Sequence, residues 1–293
     1  MNSFYIVNSF TRSRFTGNPA GVVLLDGAMA DEEMRLTARE LQLETVFAEQ
    51  VGSQYRVAYY TGECRVPLCG HDTIALGAVL SGIGAWPEHG SVELLSDVGL
   101  IALTRNADDQ FWMSQSPPTM GEPVALSLVA EMLRIREEAV LADPPVRVVS
   151  TGSPFLFARM RSRADVDALK PDNEVLADAL LGMPGRPLGI YVWCEENEDF
   201  TSVYSRCFAP VAGLPEDPVT GSASGALGGY LASHRFSGSA ATREFEMTVA
   251  QGVAMGRGGT ATVRVTGEGG EVRSVAVGGH AIVVAEGVLK AQE

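Results

Sequence analysis

The stretch His71-Asp72-Thr73-Ile74-Ala75-Leu76-Gly77-Ala78-Val79-Leu80 is apolar almost all round, with Ala75 and Gly77 inside it. A helix without a polar face has to be buried on every side. Small residues let surrounding strands come close. A near copy, Ser224-Gly225-Ala226-Leu227-Gly228-Gly229-Tyr230-Leu231, follows later in the chain. The pair predicts an α+β fold of two pseudo-symmetric domains, each a curled, mostly antiparallel sheet around a central α-helix.

Two further echoes keep the same order. Thr16-Gly17-Asn18-Pro19 returns as Thr151-Gly152-Ser153-Pro154, and residues 93–99 return as 246–252. Three ordered matches point to an ancient duplication. Residues 4–7, 20–25, 55–60, 188–193, 202–208 and 262–265 read as strands, and 31–41 and 165–181 as surface helices. The expected boundaries are 1–117 plus 280–293 for the first domain and 118–279 for the second.

Composition limits the function. At 293 residues two domains are the default, and 46% apolar with 20% charged residues is ordinary for a soluble globular protein. A net charge of −14 argues against a nucleic-acid partner, which needs clustered cations. No leader and no membrane-length apolar run is read, so the expected location is cytoplasmic, with no membrane partner. Cys64, Cys69, Cys194 and Cys207 are too few and scattered for a disulfide framework.

Both central helices begin in an anion cradle. Leu68-Cys69-Gly70-His71-Asp72-Thr73 opens the first, and Pro215-Glu216-Asp217-Pro218-Val219-Thr220-Gly221-Ser222-Ala223 opens the second. Helix starts expose unpaired N–H groups and the positive end of the macrodipole. Proline after Asp217 restricts that residue's backbone and aims its carboxylate; a helix cap is the alternative use of an Asp-Pro pair. His71 stands where the dipole favours neutral imidazole, although a hydrogen-bonded core histidine fits equally. Glu44 lies in the apolar run Leu41-Gln42-Leu43-Glu44-Thr45-Val46-Phe47, where an acid is suited to proton transfer or else reaches solvent from a strand edge. Cys69 is either a thiol activated by the helix start or buried filler. His89, His234 and His280 carry no such pattern. The Cys64, Cys69, His71 spacing fits no zinc knuckle, so no metal is expected. Gly256-Arg257-Gly258-Gly259 imitates a dinucleotide fingerprint but precedes a strand, and Gly221-Ser222-Ala223-Ser224-Gly225 has alanine where a nucleophile elbow needs serine.

At these residues the chain resembles the PhzF family of phenazine-biosynthesis isomerase-like proteins. The matching elements are Ser9-Phe10-Thr11, Phe15-Thr16-Gly17-Asn18-Pro19-Ala20-Gly21-Val22-Val23, Glu44-Thr45-Val46-Phe47, Leu68-Cys69-Gly70-His71-Asp72-Thr73, Arg206-Cys207-Phe208-Ala209-Pro210, Glu216-Asp217-Pro218-Val219-Thr220-Gly221-Ser222-Ala223, and Gln251-Gly252 with Gly256-Arg257. The resemblance implies a diaminopimelate-epimerase-like fold, an active site in the cleft between the domains, no metal or organic cofactor, a role in biosynthesis or secondary metabolism, and a homodimer. It implies that Glu44 moves a proton across a small carboxylate-bearing substrate while His71 and Asp217 assist. On the same resemblance Gly70, Gly221 and Ser222 are expected to bind the substrate, with Asn18, Cys69, Asp72 and Thr220 around them. Four departures leave the substrate undefined: Asn8 where the family has Asp, Ala58-Tyr59-Tyr60-Thr61-Gly62 for Arg-x-Phe-Thr-Pro, Asp72 for Ala, and Gly258 for Pro. The leading expectation is a cofactor-independent isomerase. A racemase using Cys69 and Asp217 is the second, with only the first of the two thiols that cysteine-using relatives of the fold employ. A non-catalytic metabolite- or partner-binding scaffold is the third.

Overall fold

The computed structural model describes residues 1–87, 90–237 and 241–290; His89 lies outside the described residues. The chain divides into two compact units, Met1–Ser114 with Gly278–Glu293, and Gln115–Val277.

The first unit runs β1 (Ser3–Ser9), β2 (Asn18–Leu25), α1 (Asp31–Leu41), β3 (Thr45–Val51), β4 (Gln54–Tyr60), β5 (Arg65–Val66), α2 (Gly70–Gly82), β6 (Val92–Ser96), β7 (Gly99–Arg105) and β8 (Phe111–Gln115). The second runs β9 (Thr119–Pro123), α3 (Leu126–Leu133), β10 (Arg147–Ser150), β11 (Pro154–Arg159), α4 (Arg163–Asp167), α5 (Asn173–Leu181), β12 (Ile190–Glu195), β13 (Ser202–Ala209), β14 (Leu214–Asp217), α6 (Gly221–Phe236), β15 (Arg243–Gln251), β16 (Gly259–Glu268) and β17 (Glu271–Gly279). The chain then supplies β18 (Ala281–Val288), which pairs antiparallel with β1.

The same topology is built in each unit. In the first, β1 pairs antiparallel with β2, β2 parallel with β3, β3 antiparallel with β4, β4 parallel with β6, and β6 antiparallel with β7. In the second, β10, β11, β12, β13, β15 and β16 repeat that succession of directions. The echoed turns Thr16-Gly17-Asn18-Pro19 and Thr151-Gly152-Ser153-Pro154 are the β1–β2 and β10–β11 hairpin loops. The echo at 93–99 and 246–252 falls on the strands that follow the central helices in both units, but its turn is tight only between β6 and β7.

Both central helices are enclosed, as their lack of a polar face requires. All of α2 from Gly70 to Leu80 is buried, as is nearly all of α6 from Gly221 to Ala232. Glycine sits where strands press on them. A Cβ at Gly77 would lie 2.7 Å from the Phe111 ring, and one at Gly228 would lie 2.5 Å from Val263 Cγ1. Surface helix α1 has acids in its first turn and Arg39 in its last, and its buried Met34 and Ala38 pack with Val23, Phe47 and Tyr60.

The continuous helix expected over 165–181 is instead two. Pro171 has no N–H to donate and disfavours helical backbone at the residue before it. Helix α4 therefore stops at Asp167, and α5 restarts behind Asp172, whose carboxylate accepts from Val175 N–H at 3.3 Å.

The close helix–sheet approach predicts the outcome of Gly228→Ala. Helix propensity favours alanine by roughly 0.5–1 kcal/mol, whereas overpacking typically costs about 1–3 kcal/mol. A net loss is expected, seen as a lower thermal midpoint; an unchanged or higher midpoint would show that Val263 does not press on the helix.

Candidate active site

In the first unit, Glu44, Cys69, His71 and Asp72 come together where α2 begins. Cys69 is its extended N-cap residue, at φ −130°. The His71 ring has its Nε2 3.4 Å from Glu44 Oε2 and 3.2 Å from Asp72 Oδ1. Its Nδ1 lies 3.2 Å from the Cys69 thiol. Burial pushes the imidazole down to about 3, so it is neutral at ordinary pH. The tautomer that suits these neighbours carries its proton on Nε2, facing the carboxylates, and accepts from Cys69 S–H at Nδ1. The His71 and Asp72 side chains are almost inaccessible, while that of Glu44 keeps 22% of its surface open. The one partly accessible group in the cluster is thus a carboxylate backed by a neutral ring.

The local sequence explains the geometry. Glu44 immediately precedes β3, and its carbonyl accepts from Gly21 N–H at 2.8 Å. A Cβ at Gly21 would lie 2.4 Å from Thr45 Oγ1, so glycine is what allows β2 to run this close to β3. Ser9 donates its hydroxyl to the His71 carbonyl at 2.7 Å. Thr73 donates to the Cys69 carbonyl at 2.7 Å and bonds Tyr59 hydroxyl at 2.7 Å. Asn18 is buried and is the strand partner of Ser9 across the β1–β2 hairpin. It stands one strand position from the serine that holds the helix start.

The second unit carries its own cradle. Asp217 ends β14 and is buried; its Oδ2 accepts from Thr220 Oγ1 at 2.6 Å. Thr220 N-caps α6, followed by Gly221 and half-buried Ser222. Gln251 is fully buried and holds this turn. Its Nε2 donates to the Asp217 carbonyl at 2.7 Å and to Thr220 Oγ1 at 3.0 Å, and its Oε1 accepts from Thr220 N–H at 3.1 Å. Sequence reasoning quoted Gln251 only as part of a motif and gave it no role. Glu216, beside Asp217, is engaged otherwise. It forms a two-pronged pair with Arg206, at 2.8 Å for each bond, while Arg206 also donates to the carbonyls of Val166, Asp167 and Leu169. This knot secures the end of α4.

One expectation is corrected here. The reading that no second thiol stands near Asp217 fails, because Cys207 is its partner across the β13–β14 pair. Burial and the neighbouring Asp217 push that thiol well up, so it is a poor proton carrier at neutral pH. No disulfide joins the described cysteines, and no helix among the described residues is long and apolar enough to cross a membrane.

Two like halves, each a curled sheet closed over a buried helix, define the diaminopimelate-epimerase-like fold. A probable proline racemase from Agrobacterium radiobacter K84 shares it, with a TM-score of 0.63 at 11% identity over 100% of this chain and 94% of that one. A crystal structure of a phenazine biosynthesis protein of the PhzF family from Bacillus anthracis superposes with a TM-score of 0.87 at 26% identity, over 99% of this chain and 100% of that one. An uncharacterized isomerase of Clostridium acetobutylicum is 32% identical over 293 residues, 96% of each chain. The family model described as phenazine biosynthesis-like protein matches residues 7–287, and the chain belongs to the PhzF family.

The buried imidazole has a consequence for acid stability. Below the ordinary histidine value of 6.5 the unfolded chain protonates His71, while the folded chain does so only near 3. The folded state then binds fewer protons, so this residue's contribution is intact above 6.5 and is lost as pH falls from there towards 3. His71→Asn should flatten that part of the stability profile, measured as urea midpoints across the acid range. An equally steep decline in the variant would contradict a neutral His71.

Proposed function

We propose that this protein is a cofactor-independent isomerase that moves a proton between carbons of a small carboxylate-bearing metabolite, unsaturated or amino-acid-like. The observation that carries the reading is the partly open Glu44 carboxylate, held 3.4 Å from the buried, neutral His71 ring. Isomerase names among relatives of nearly equal length agree with it.

The chemistry is a proton relay on one side chain. A Glu44 carboxylate oxygen takes a proton from a substrate carbon, and the electron pair of that C–H bond moves into the adjacent unsaturated or carboxyl system. The protonated Glu44, whose open side lets it exchange with solvent, then delivers a proton to another carbon, restoring the carboxylate. His71, protonated on Nε2, donates towards Glu44 and keeps it oriented without adding a charge. Helix-start N–H groups would hold the substrate carboxylate and stabilise enolate-like charge. Loss of one such donor in comparable sites costs about 3–4 kcal/mol. The resemblance further supports a homodimer and a biosynthetic role.

A second reading has its own observation. Cys69 Sγ lies 3.2 Å from His71 Nδ1, a spacing suited to a thiol that exchanges protons in a racemase. Cys69→Ser separates the two readings, since it would cripple a thiol-driven racemase and largely spare transfer by Glu44.

Carbon-bound hydrogen exchange with heavy water, screened over unsaturated amino and hydroxy acids, tests the proposal. Wild type should wash deuterium into its substrate and isomerise it. Glu44→Gln should retain ligand binding but lose turnover by about 100- to 10,000-fold. Normal turnover by Glu44→Gln rules out the assigned acid/base.

A further inference from the structure

Two carboxylates meet at one edge of the His71 ring. Its Nε2 lies 3.2 Å from Asp72 Oδ1 and 3.4 Å from Glu44 Oε2, while the Cys69 thiol sits at the Nδ1 edge, 3.2 Å away. A neutral imidazole protonated on Nε2 has a single N–H to turn towards the two acids. Burial keeps the ring neutral, so it cannot answer their charge with one of its own. From this geometry we infer that Asp72 is a positioning residue for Glu44: the two carboxylates form a coupled pair that holds one proton in common near neutral pH.

Like charges this close do not ionise independently. Two carboxylates that share a site give up their protons in two steps, the second raised well above the ordinary value of about 4. The partners are unequal. The Asp72 side chain is 1% exposed, so it meets no substrate and acts only through its neighbours, whereas Glu44 keeps an open side. Asp72 is the third residue of α2, where the positive end of a helix favours a carboxylate.

Cys69, Tyr59 and His71, the titratable groups seen beside the pair among the described residues, bring no cation to relieve it. Cys69 offers a thiol, and Tyr59 of β4 a phenol that burial keeps protonated and that feels the Asp72 charge. On the strands packed against α2, Ser9 of β1 and buried Asn18 of β2 are uncharged, and His280, ahead of β18, turns to the Asp109 carbonyl at 3.2 Å. Both acids also sit on pinned backbone. The Glu44 carbonyl accepts from Gly21 N–H at 2.8 Å, and the carbonyl of His71, next to Asp72, accepts from the Ser9 hydroxyl at 2.7 Å. Repulsion between the two is therefore relieved by retaining a proton rather than by the chain moving apart.

A general base works best when its proton affinity matches the working pH. A solitary exposed carboxylate gives up its proton at about 4 and is a weak base at neutrality. Coupling to a buried partner strengthens it. This consequence alone rests on the isomerase reading; the pairing itself is measured without turnover.

The full-length protein, isotopically labelled at its Asp and Glu carboxyl carbons, is followed by NMR across pH. The Glu44 signal is the one missing from Glu44→Gln, and the Asp72 signal the one missing from Asp72→Asn. In wild type both should report the same two steps, the upper one about two pH units above the ordinary carboxylate value. In Asp72→Asn, which keeps the size and removes the charge, Glu44 should titrate in one step, at least about one pH unit below that upper step. A merely structural role for Asp72 would leave the Glu44 curve where it was. Independent single steps at about 4 in wild type, or a Glu44 curve unmoved by Asp72→Asn, overturns the inference. The wild-type Glu44 curve decides the matter even if Asp72→Asn folds poorly. Failure to find any isomerised substrate would count against the proposed function and leave the pairing standing.

Discussion

A helix with no polar face cannot lie on a surface, and this constraint shapes both units. Helix α2 and helix α6 each need strands on every side to cover them. Each unit supplies them with the same succession of strand directions around its helix. The glycines inside these helices are spacers: at Gly77 and Gly228 any side chain would run into Phe111 or Val263. Enclosure also buries the helix starts, and a buried helix start presents N–H groups that must meet a partner. Enclosed helix starts thus come with the architecture rather than being added to it.

What distinguishes the two cradles is the polar chemistry beside them. At α2 a neutral imidazole touches a thiol on one edge and two carboxylates on the other. At α6 a single amide side chain, Gln251, ties Asp217 to Thr220 through three hydrogen bonds. The first arrangement leaves one acid partly accessible, which is the requirement for moving a proton. The second fixes the turn ahead of α6. The neighbouring Arg206–Glu216 knot belongs to packing, although Glu216 shares a motif with Asp217.

Much of the fold was legible because its signals are local. The central helices announce themselves by uniform apolarity, and α1 by its acidic start and period. The duplication showed in short ordered echoes, and family membership followed from motifs spread along the chain. The signals that failed depend on contacts or on a single breaking residue. Pro171 splits a helical pattern that periodicity alone joins. Cys207 meets Asp217 through the register of a strand pair, which no spacing rule reveals. Gln251 reaches back to a turn 31 residues away. Glu44 was singled out as an acid in apolar sequence, but its approach to His71 and Cys69 requires β3 and α2 to be seated together.

Hydrogen exchange resolved along the chain tests the enclosure of the central helices most directly. Amides within α2 and α6 should be the slowest in their units, opening only when the unit itself unfolds, while those of surface helix α1 exchange through smaller local openings. Exchange in α2 and α6 as fast as in α1 would mean that the strands do not enclose them, and the helix starts would lose the fixed geometry on which the rest is built.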